Sequence, residues 1–429
     1  MNNRTLLICI DGLAGAYLED PSVNAPHLKK LIKEGSLVSR LTTTYPSVTW
    51  TANTSAITGC HPDRHGVLGN SVYDRTTNEI RHHWGDQLGS KEDIIKVSTL
   101  YDLLAEKGMK TASVCWPLTR EATNISYNIP EFYDQALFEQ YATPDFWDEL
   151  KKTLPVDRYG EWSSDFALGD KQDWLTKEIL LYILKEKDAD FIMGHFLSID
   201  SLLHDYGNRS SQVYDAITYI DELVGELMAY LDEQETDVIL YSDHGHLDVH
   251  TAFYPNRLLN ENGLGYSFTA VSNDGCLFVY GTDQTIDRQQ EAKDLFQSLP
   301  YVADVLSTDA FPERGLPKID LDEFGHTPDF IVELKEGYLS KDDVEAGELL
   351  GDSSYLATHG YSPEHPLLKG FMIASGPSFS SGSNIDEAHI VDIAPTIAVT
   401  RDIMPHKMDG DPLSSILTKG GNTIEEPAY

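Results

Sequence analysis

A chain of 429 residues with 69 Asp and Glu against 32 Lys and Arg carries a formal net charge of −37, which excludes a broad basic face for nucleic-acid backbone or anionic lipid. With 41% hydrophobic and 24% charged residues it is a packed chain rather than a disordered one, long enough for one large α/β domain with an insertion or for two domains. An anionic substrate would need a local reversal of the field, which bound divalent cations supply.

The first apolar run, Leu6 to Ile10 in TLLICI, is too short for a signal peptide and is interrupted by Asp11. No later run is long enough to span a bilayer, so no membrane association and a cytoplasmic location are expected. NAPHLKKLIKEG reads as a helix with Asn24 as cap, Pro26 in the first turn and Gly35 as stop. The uncharged stretch TTTYPSVTWTANTSAITG, residues 42–59, resembles a capped helix ending at Gly59, and STLYDLLAEKG predicts another from Ser98 to Gly108.

Strands are expected at TLLICI, TASVCW, DFIMGHFL, TDVILYS, CLFVYG, DFIVEL and GFMIASG. Between the third and fourth, SQVYDAITYIDELVGELMAYLDEQ sets Val213, Ile217, Ile220, Val224, Leu227 and Leu231 on one helical stripe. This alternation predicts an α/β fold, a mostly parallel sheet with helices on both faces. Residues 118–172, aromatic and irregular, and 251–344, rich in Pro and Gly with a short helix near DRQQEAKDLFQSL, break the rhythm. The expected division is a catalytic α/β domain over 1–250 and 345–429 and a smaller inserted lobe over 251–344, with a loose tail after Leu417. Cys9, Cys60, Cys115 and Cys276 lie far apart and read as reduced core residues.

Ligand sites in open α/β sheets lie beyond the carboxyl ends of the strands. Asp11 ends LLICI, Asp200 and His204 follow FIMGHFLSI, Asp243 and His244 follow VILYS, and His359 stands in ATHGY before the last strand. Each alone is weak, since a lone strand-end Asp or His is more often structural. Together, three carboxylates and three imidazoles make a donor set for zinc or a similar divalent metal. Asp200 and His204, four apart, can project from one face of a helical turn, while the adjacent Asp243 and His244 need a sharp backbone turn, expected at Gly245.

The motifs IDGL, YPSVTWTANTSAITGCHPDRHGVLGN, DSLLHDYG, SDHGH and THGY, in this order, resemble the nucleotide pyrophosphatase/phosphodiesterase branch of the alkaline phosphatase superfamily over residues 5 to about 415. The resemblance implies an alkaline-phosphatase-like fold and two zinc ions per chain, with manganese as the alternative. One ion would be held by Asp11, Asp243 and His244 with the Thr49 hydroxyl at its open position, the other by Asp200, His204 and His359. It implies Thr49 as nucleophile, a covalent phosphothreonine intermediate, Asn70 holding a non-bridging phosphoryl oxygen, and Trp50 as a wall for a base. TWTANTS lacks the proline and histidine common after the family's nucleophile.

Such chemistry is consistent with elementary arguments. A metal that brings bound water to a pKa of about 7 favours a threonine alkoxide in the same way. A helix start at Thr49 lets a phosphate accept backbone N–H groups. The expected activity is hydrolysis of phosphodiester or phosphoanhydride bonds in a small-molecule or nucleotide substrate, with no nucleic-acid polymer. The alternatives are a phosphonoacetate hydrolase-like carbon–phosphorus hydrolase, for which no Lys or Arg pair stands beside the motifs (Arg64 and Lys29 being nearest), and a non-catalytic metal- or phosphate-binding protein. His61, His65, His82, His83, His195, His250 and His326 read as solvated or structural, and His246 as a support for metal ligands rather than a ligand.

Overall fold

A computed structural model describes residues 4–86, 89–231, 235–281, 286–318, 325–343, 347–404 and 408–418; the tail expected to be loose lies, from 419 on, outside them. At the centre is an eight-stranded sheet in the order Ser383–His389, Ser36–Thr42, Gly370–Ser375, Thr236–Tyr241, Arg4–Ile10, Phe191–Phe196, Thr111–Trp116 and Tyr127–Pro130. Gly370–Ser375 runs antiparallel to both neighbours, and all other pairings are parallel. The remaining strands therefore deliver their carboxyl ends to one edge.

Successive side chains of a strand point to opposite faces. Leu6, Ile8 and Ile10 accordingly enter one core cluster, with Leu175 and Ile179 of helix Gly169–Glu186 and Val213 and Ile217 of helix Ser211–Tyr230. Leu7 and Cys9 enter the other, with Ala52 and Ala56 of helix Thr49–Thr58 and Ile393 and Ile397 of helix Ile393–Thr400. A strand covered on both faces needs an unbroken apolar run, which LLICI is. The uncharged stretch has the same cause: all 10 residues of helix Thr49–Thr58 are buried. It closes at Gly59 in the left-handed region, φ 66°.

Of the expected strands, Cys276–Gly281 and Phe330–Leu334 belong to a second sheet, four antiparallel strands completed by Phe268–Asn273 and Val302–Ser307. The helix expected near DRQQEAKDLFQSL runs Ile286–Gln297. Ser36–Thr42, Tyr127–Pro130 and Ser383–His389 are central-sheet strands absent from the sequence reading. Two of them form one margin of the sheet, where exposed polar positions interrupt the apolar pattern that marks the interior strands.

Helix boundaries also differ in instructive ways. Helix Pro26–Glu34 is capped by Ala25, not Asn24, and its free N–H groups at His27 and Leu28 are received by the Asp221 carboxylate at 3.0 and 2.7 Å. A tertiary partner thus replaces the local cap. Helix Leu100–Glu106 begins after Thr99, not Ser98, because Thr99 and Asp102 form a reciprocal capping box. In Ser211–Tyr230 the expected stripe is buried through Leu227, while Leu231 lies just past the helix end. All four cysteines are free and buried.

Candidate active site

Asp11, Asp200, His204, Asp243, His244, His359 and Thr49 come together at the carboxyl edge of the sheet. Asp11 directly follows strand Arg4–Ile10, and its N–H donates to Phe196 O of the adjacent strand at 2.9 Å. Helix Ser198–Tyr206 carries Asp200 and His204, with His204 Nε2 3.5 Å from Asp200 Oδ2. That helix is oriented by the buried Asp173, whose carboxylate accepts the N–H groups of Leu197 and Ser198 at 2.8 and 3.0 Å.

Asp243 is fixed from several sides. Its Oδ1 accepts the N–H of Gly12 at 3.2 Å and of His244 at 3.0 Å, and its Oδ2 accepts Asn53 Nδ2 at 3.0 Å. His244 Nε2 then lies 3.5 Å from Asp11 Oδ1 and 3.6 Å from Asp243 Oδ2. Gly245 serves this turn differently from expectation. Its φ is not positive; instead a Cβ there would lie 2.0 Å from Leu367 O, so glycine is needed for close backbone approach.

Thr49 is the first residue of its helix, preceded by Val48, which gives no side-chain cap. Its hydroxyl lies 3.0 Å from His244 Nε2. Two hydrogen bonds tie this segment to the His359 loop: Ser47 Oγ donates to Tyr361 O at 2.9 Å, and Gly360 N donates to Ser47 O at 2.9 Å. Asn70, just before strand Ser71–Asp74, accepts the Trp50 N–H through Oδ1 at 3.2 Å, which leaves its NH2 group as the donor it can offer the cavity.

The electrostatics call for a cation. Burial pushes the Asp11 carboxyl well above its usual range, and the charges of Asp243 and Asp200 push it further. Burial also acts against ionised Asp200, yet the His204, His246 and His359 rings pull it well below that range. His359 is held well below the usual imidazole range by burial and by His244, and His246 is lowered by burial to about 4, so both rings are neutral at pH 7 and carry a free lone pair. His204 Nδ1 donates to Ala357 O at 2.9 Å, fixing the tautomer whose Nε2 is the acceptor.

Metal donors fit this arrangement. Asp200, His204, His246 and His359 each offer an atom within 4.8 Å of the others, as do Asp11, Asp200 and His244. Asp11 Oδ1, Asp200 Oδ1, His244 Nδ1 and His359 Nδ1 are buried without a hydrogen-bond partner among the described residues. Unpaired buried polar atoms are costly, and a divalent cation would satisfy the oxygens among them.

Beneath this layer lies a second one that the sequence reading missed. His195, expected to be merely structural, places Nε2 3.2 Å from Asp11 Oδ2 and Nδ1 3.4 Å from Glu131 Oε2. Neither ring nitrogen makes an aligned hydrogen bond, but the ring stands between the two carboxylates, where a support for metal ligands would stand. Cys9 pairs with His195 in strand register; burial and then the charge of Asp243 raise its thiol far above neutrality, and Cys9, His195 and Asp243 form a third group with donor atoms within 4.8 Å of one another. Asn53, bonded to Asp243, Thr49 O and Tyr241, is a further support whose signal in the sequence was no more than its place in a hydroxyl-rich run. His65 and His83 are structural as expected, pairing with Ser55 Oγ at 2.8 Å and Gly69 O at 2.7 Å.

Above Thr49 opens a cavity of about 320 Å³. Trp50 contributes to its wall but is 92% buried and also packs into the core, its relative exposure being 8%. Trp84 and Phe166, with exposures of 43% and 39%, and Tyr133 and Tyr355 complete an aromatic lining. The irregular segment 118–172 thus supplies Glu131, Tyr133, Ser163, Phe166, Gly169 and Gln172 to one side. His82, expected to be solvated or structural, lies 5.1 Å from the Trp84 ring and lines the cavity. Lys341 is the one Lys or Arg among the described residues of the lining, its Nζ 4.4 Å from the Tyr355 ring centre. Arg64 pairs with Asp409 and Lys29 bonds Val23 O, both outside the lining.

Comparison with known proteins identifies the family and the fold. The profile of the type I phosphodiesterase/nucleotide pyrophosphatase family matches residues 5–362. A bis(5'-adenosyl)-triphosphatase of Homo sapiens is 22% identical over 417 residues, covering 95% of this chain and 80% of the relative. A venom phosphodiesterase of Crotalus adamanteus is 20% identical over 425 residues, covering 90% of this chain and 44% of the relative. Among solved structures, murine ectonucleotide pyrophosphatase/phosphodiesterase 5, in an inactive threonine-to-alanine variant in complex with AMP, superposes with a TM-score of 0.73 at 16% identity, covering 97% of this chain and 100% of that one. The human counterpart gives the same TM-score, 0.73, at the same 16% identity; at that level the likeness speaks for the fold. Among the described residues no helix is long and apolar enough to cross a membrane.

Proposed function

The chain belongs to the type I phosphodiesterase/nucleotide pyrophosphatase family, and from that premise we propose that it hydrolyses small nucleotide diesters or phosphoanhydrides through a covalent intermediate on Thr49. The observation that carries this reading is the convergence of three carboxylates and four imidazoles, several with unpaired buried atoms, on a threonine hydroxyl at the uncapped start of a buried helix. Asp11, Asp243 and His244 would hold one zinc ion beside Thr49, and Asp200, His204 and His359 the other, with manganese as the alternative. When bound, two such ions supply positive charge that favours the threonine alkoxide and neutralises the phosphoryl oxygens.

The chain's own groups do the rest. Thr49 Oγ1 bonds to phosphorus as the leaving oxygen departs with the electron pair of its P–O bond. Water then cleaves the threonyl ester, restoring the hydroxyl and releasing the nucleoside monophosphate. Asn70, anchored through its carbonyl to Trp50 N–H, donates its NH2 to a non-bridging oxygen where charge develops. Asn53 keeps the Asp243 carboxylate in position by a hydrogen bond, and the His195 ring packs 3.2 Å from the Asp11 carboxylate. The aromatic wall of Trp50, Trp84, Phe166 and Tyr355 suits a flat base, in keeping with the adenosyl and AMP ligands named for the relatives.

No arginine is found in the lining among the described residues, which disfavours a doubly charged phosphomonoester. Lys341 gives a second reading some footing, since a phosphonate bearing a carboxylate could meet its ammonium. Rates on the p-nitrophenyl ester of a nucleoside monophosphate, p-nitrophenyl phosphate and phosphonoacetate, with and without chelator, separate these. The proposal expects chelator-sensitive preference for the nucleotide ester. Preference for phosphonoacetate moves the enzyme to carbon–phosphorus hydrolysis, and no turnover of any with under one ion bound per chain supports a binding protein.

A further inference from the structure

His246 follows Gly245 in the segment that carries Asp243 and His244, and it is 1% exposed. Its ring lies edge-on to His204 at 4.7 Å and to His359 at 5.2 Å, between centroids. Nε2 stands 3.0 Å from Asp200 Oδ1, yet neither that nitrogen nor Nδ1 makes an aligned hydrogen bond. A donor atom of this ring lies within 4.8 Å of donor atoms of Asp200, His204 and His359, a spacing that one cation could bridge. On its far side the ring is held against the backbone of Gly12, where an added Cβ would lie 3.0 Å from His246 Cε1 and 3.0 Å from Asp200 Cα. A glycine at φ 74° therefore leaves the ring its place beside Asp200.

We propose, on the two-metal reading above, that His246 is a fourth protein ligand to the ion held by Asp200, His204 and His359. The two ions are then unlike. The one beside Thr49 is held by two carboxylates, one imidazole and the hydroxyl, whereas this one receives three imidazoles and a carboxylate. Four protein ligands complete the tetrahedral shell of a structural zinc site. An ion so held takes substrate or water only by exceeding four-coordination, which favours metals that accept five or six ligands.

The test is metal titration of the full chain with cobalt(II) and zinc, read by bound metal per chain and by the visible cobalt absorption, which strengthens as coordination number falls. Wild type, His246→Leu and His246→Gln are compared, with thermal unfolding of the metal-free proteins as the control for folding. The glutamine keeps a hydrogen bond to Asp200 but not the imidazole ligand. The proposal predicts two ions in all three proteins at saturation, one of them weakened in both variants beyond the about 10–100-fold expected for loss of an outer partner, with a cobalt band altered in position and intensity from wild type. Wild-type affinity and spectrum in His246→Gln overturn the inference and reduce His246 to a positioning residue. Fewer than two ions in wild type overturn the two-metal reading itself.

Discussion

The floor of the cavity and its rim differ in origin. The floor is built by ends of central-sheet strands: Asp11 after Arg4–Ile10, Asp200 and His204 after Phe191–Phe196, and Asp243 and His244 after Thr236–Tyr241. Its side chains, buried except for the half-buried Asp200, crowd together with several polar atoms unpaired and are concerned with charge. The rim comes from segments outside the sheet's regular rhythm, with Phe166 and Trp84 partly open to solvent and Lys341 beside Tyr355. A buried floor that gathers charge and a more exposed aromatic rim divide the work expected of the site, chemistry below and recognition above.

Substitutions in the floor are expected to change metal content or kcat, and those in the rim KM and substrate preference. The largest effect is expected for Thr49→Ala, which should reduce kcat by about a thousand-fold or more while both metals stay bound, as read by steady-state rates and metal analysis. Turnover near wild type would break the floor at its centre. Asn70→Ala should lower kcat by about 10²–10³-fold with little change in metal content, the loss expected for one oxyanion donor. An effect confined to KM would move Asn70 to the rim.

His195→Gln probes the layer beneath. In the metal-free protein the Asp11 carboxyl is raised by burial, Asp243 and Asp200, and lowered by the adjacent His195 ring. A proton therefore competes with a cation there, and metal affinity should rise with pH and fall as pH drops into the raised range. Removing the His195 contact raises the carboxyl further, so metal release on acid titration should move to higher pH, with affinity about 10–100-fold lower at fixed pH. Release at the wild-type pH would make His195 a packing residue. The smallest effects belong to the rim: Trp84→Ala and Phe166→Ala should each raise KM for a nucleotide ester by roughly fivefold, about 1 kcal/mol of stacking, with metal content unchanged. A kcat collapse with intact KM would erase the distinction.

The same contrast explains what could be read in the sequence. Interior strands carry unbroken apolar runs ended by a polar residue, so LLICI with Asp11 and VILYS with Asp243 declare both strand and site. The margin strands Ser36–Thr42 and Ser383–His389, with exposed polar positions, have no such pattern and were missed. His195 looks like a core residue of its strand, and its role depends on Glu131 and Asp11 arriving from other strands and loops. Lys341 lies in a polar run just after strand Gly337–Ser340, and the pairing of that strand with the distant Leu247–Phe253 places it by the cavity. Sequence spacing reports local periodicity; contacts between segments a hundred residues apart leave no such trace.

The central claim, displacement through Thr49, is tested most directly by the stereochemistry at phosphorus. Hydrolysis of a chiral phosphorothioate nucleotide ester in isotopically labelled water proceeds by two in-line displacements if a threonyl intermediate forms, and each inverts the centre. The account predicts net retention. Net inversion would show that water attacks the diester directly and would remove Thr49 from the bond-making step.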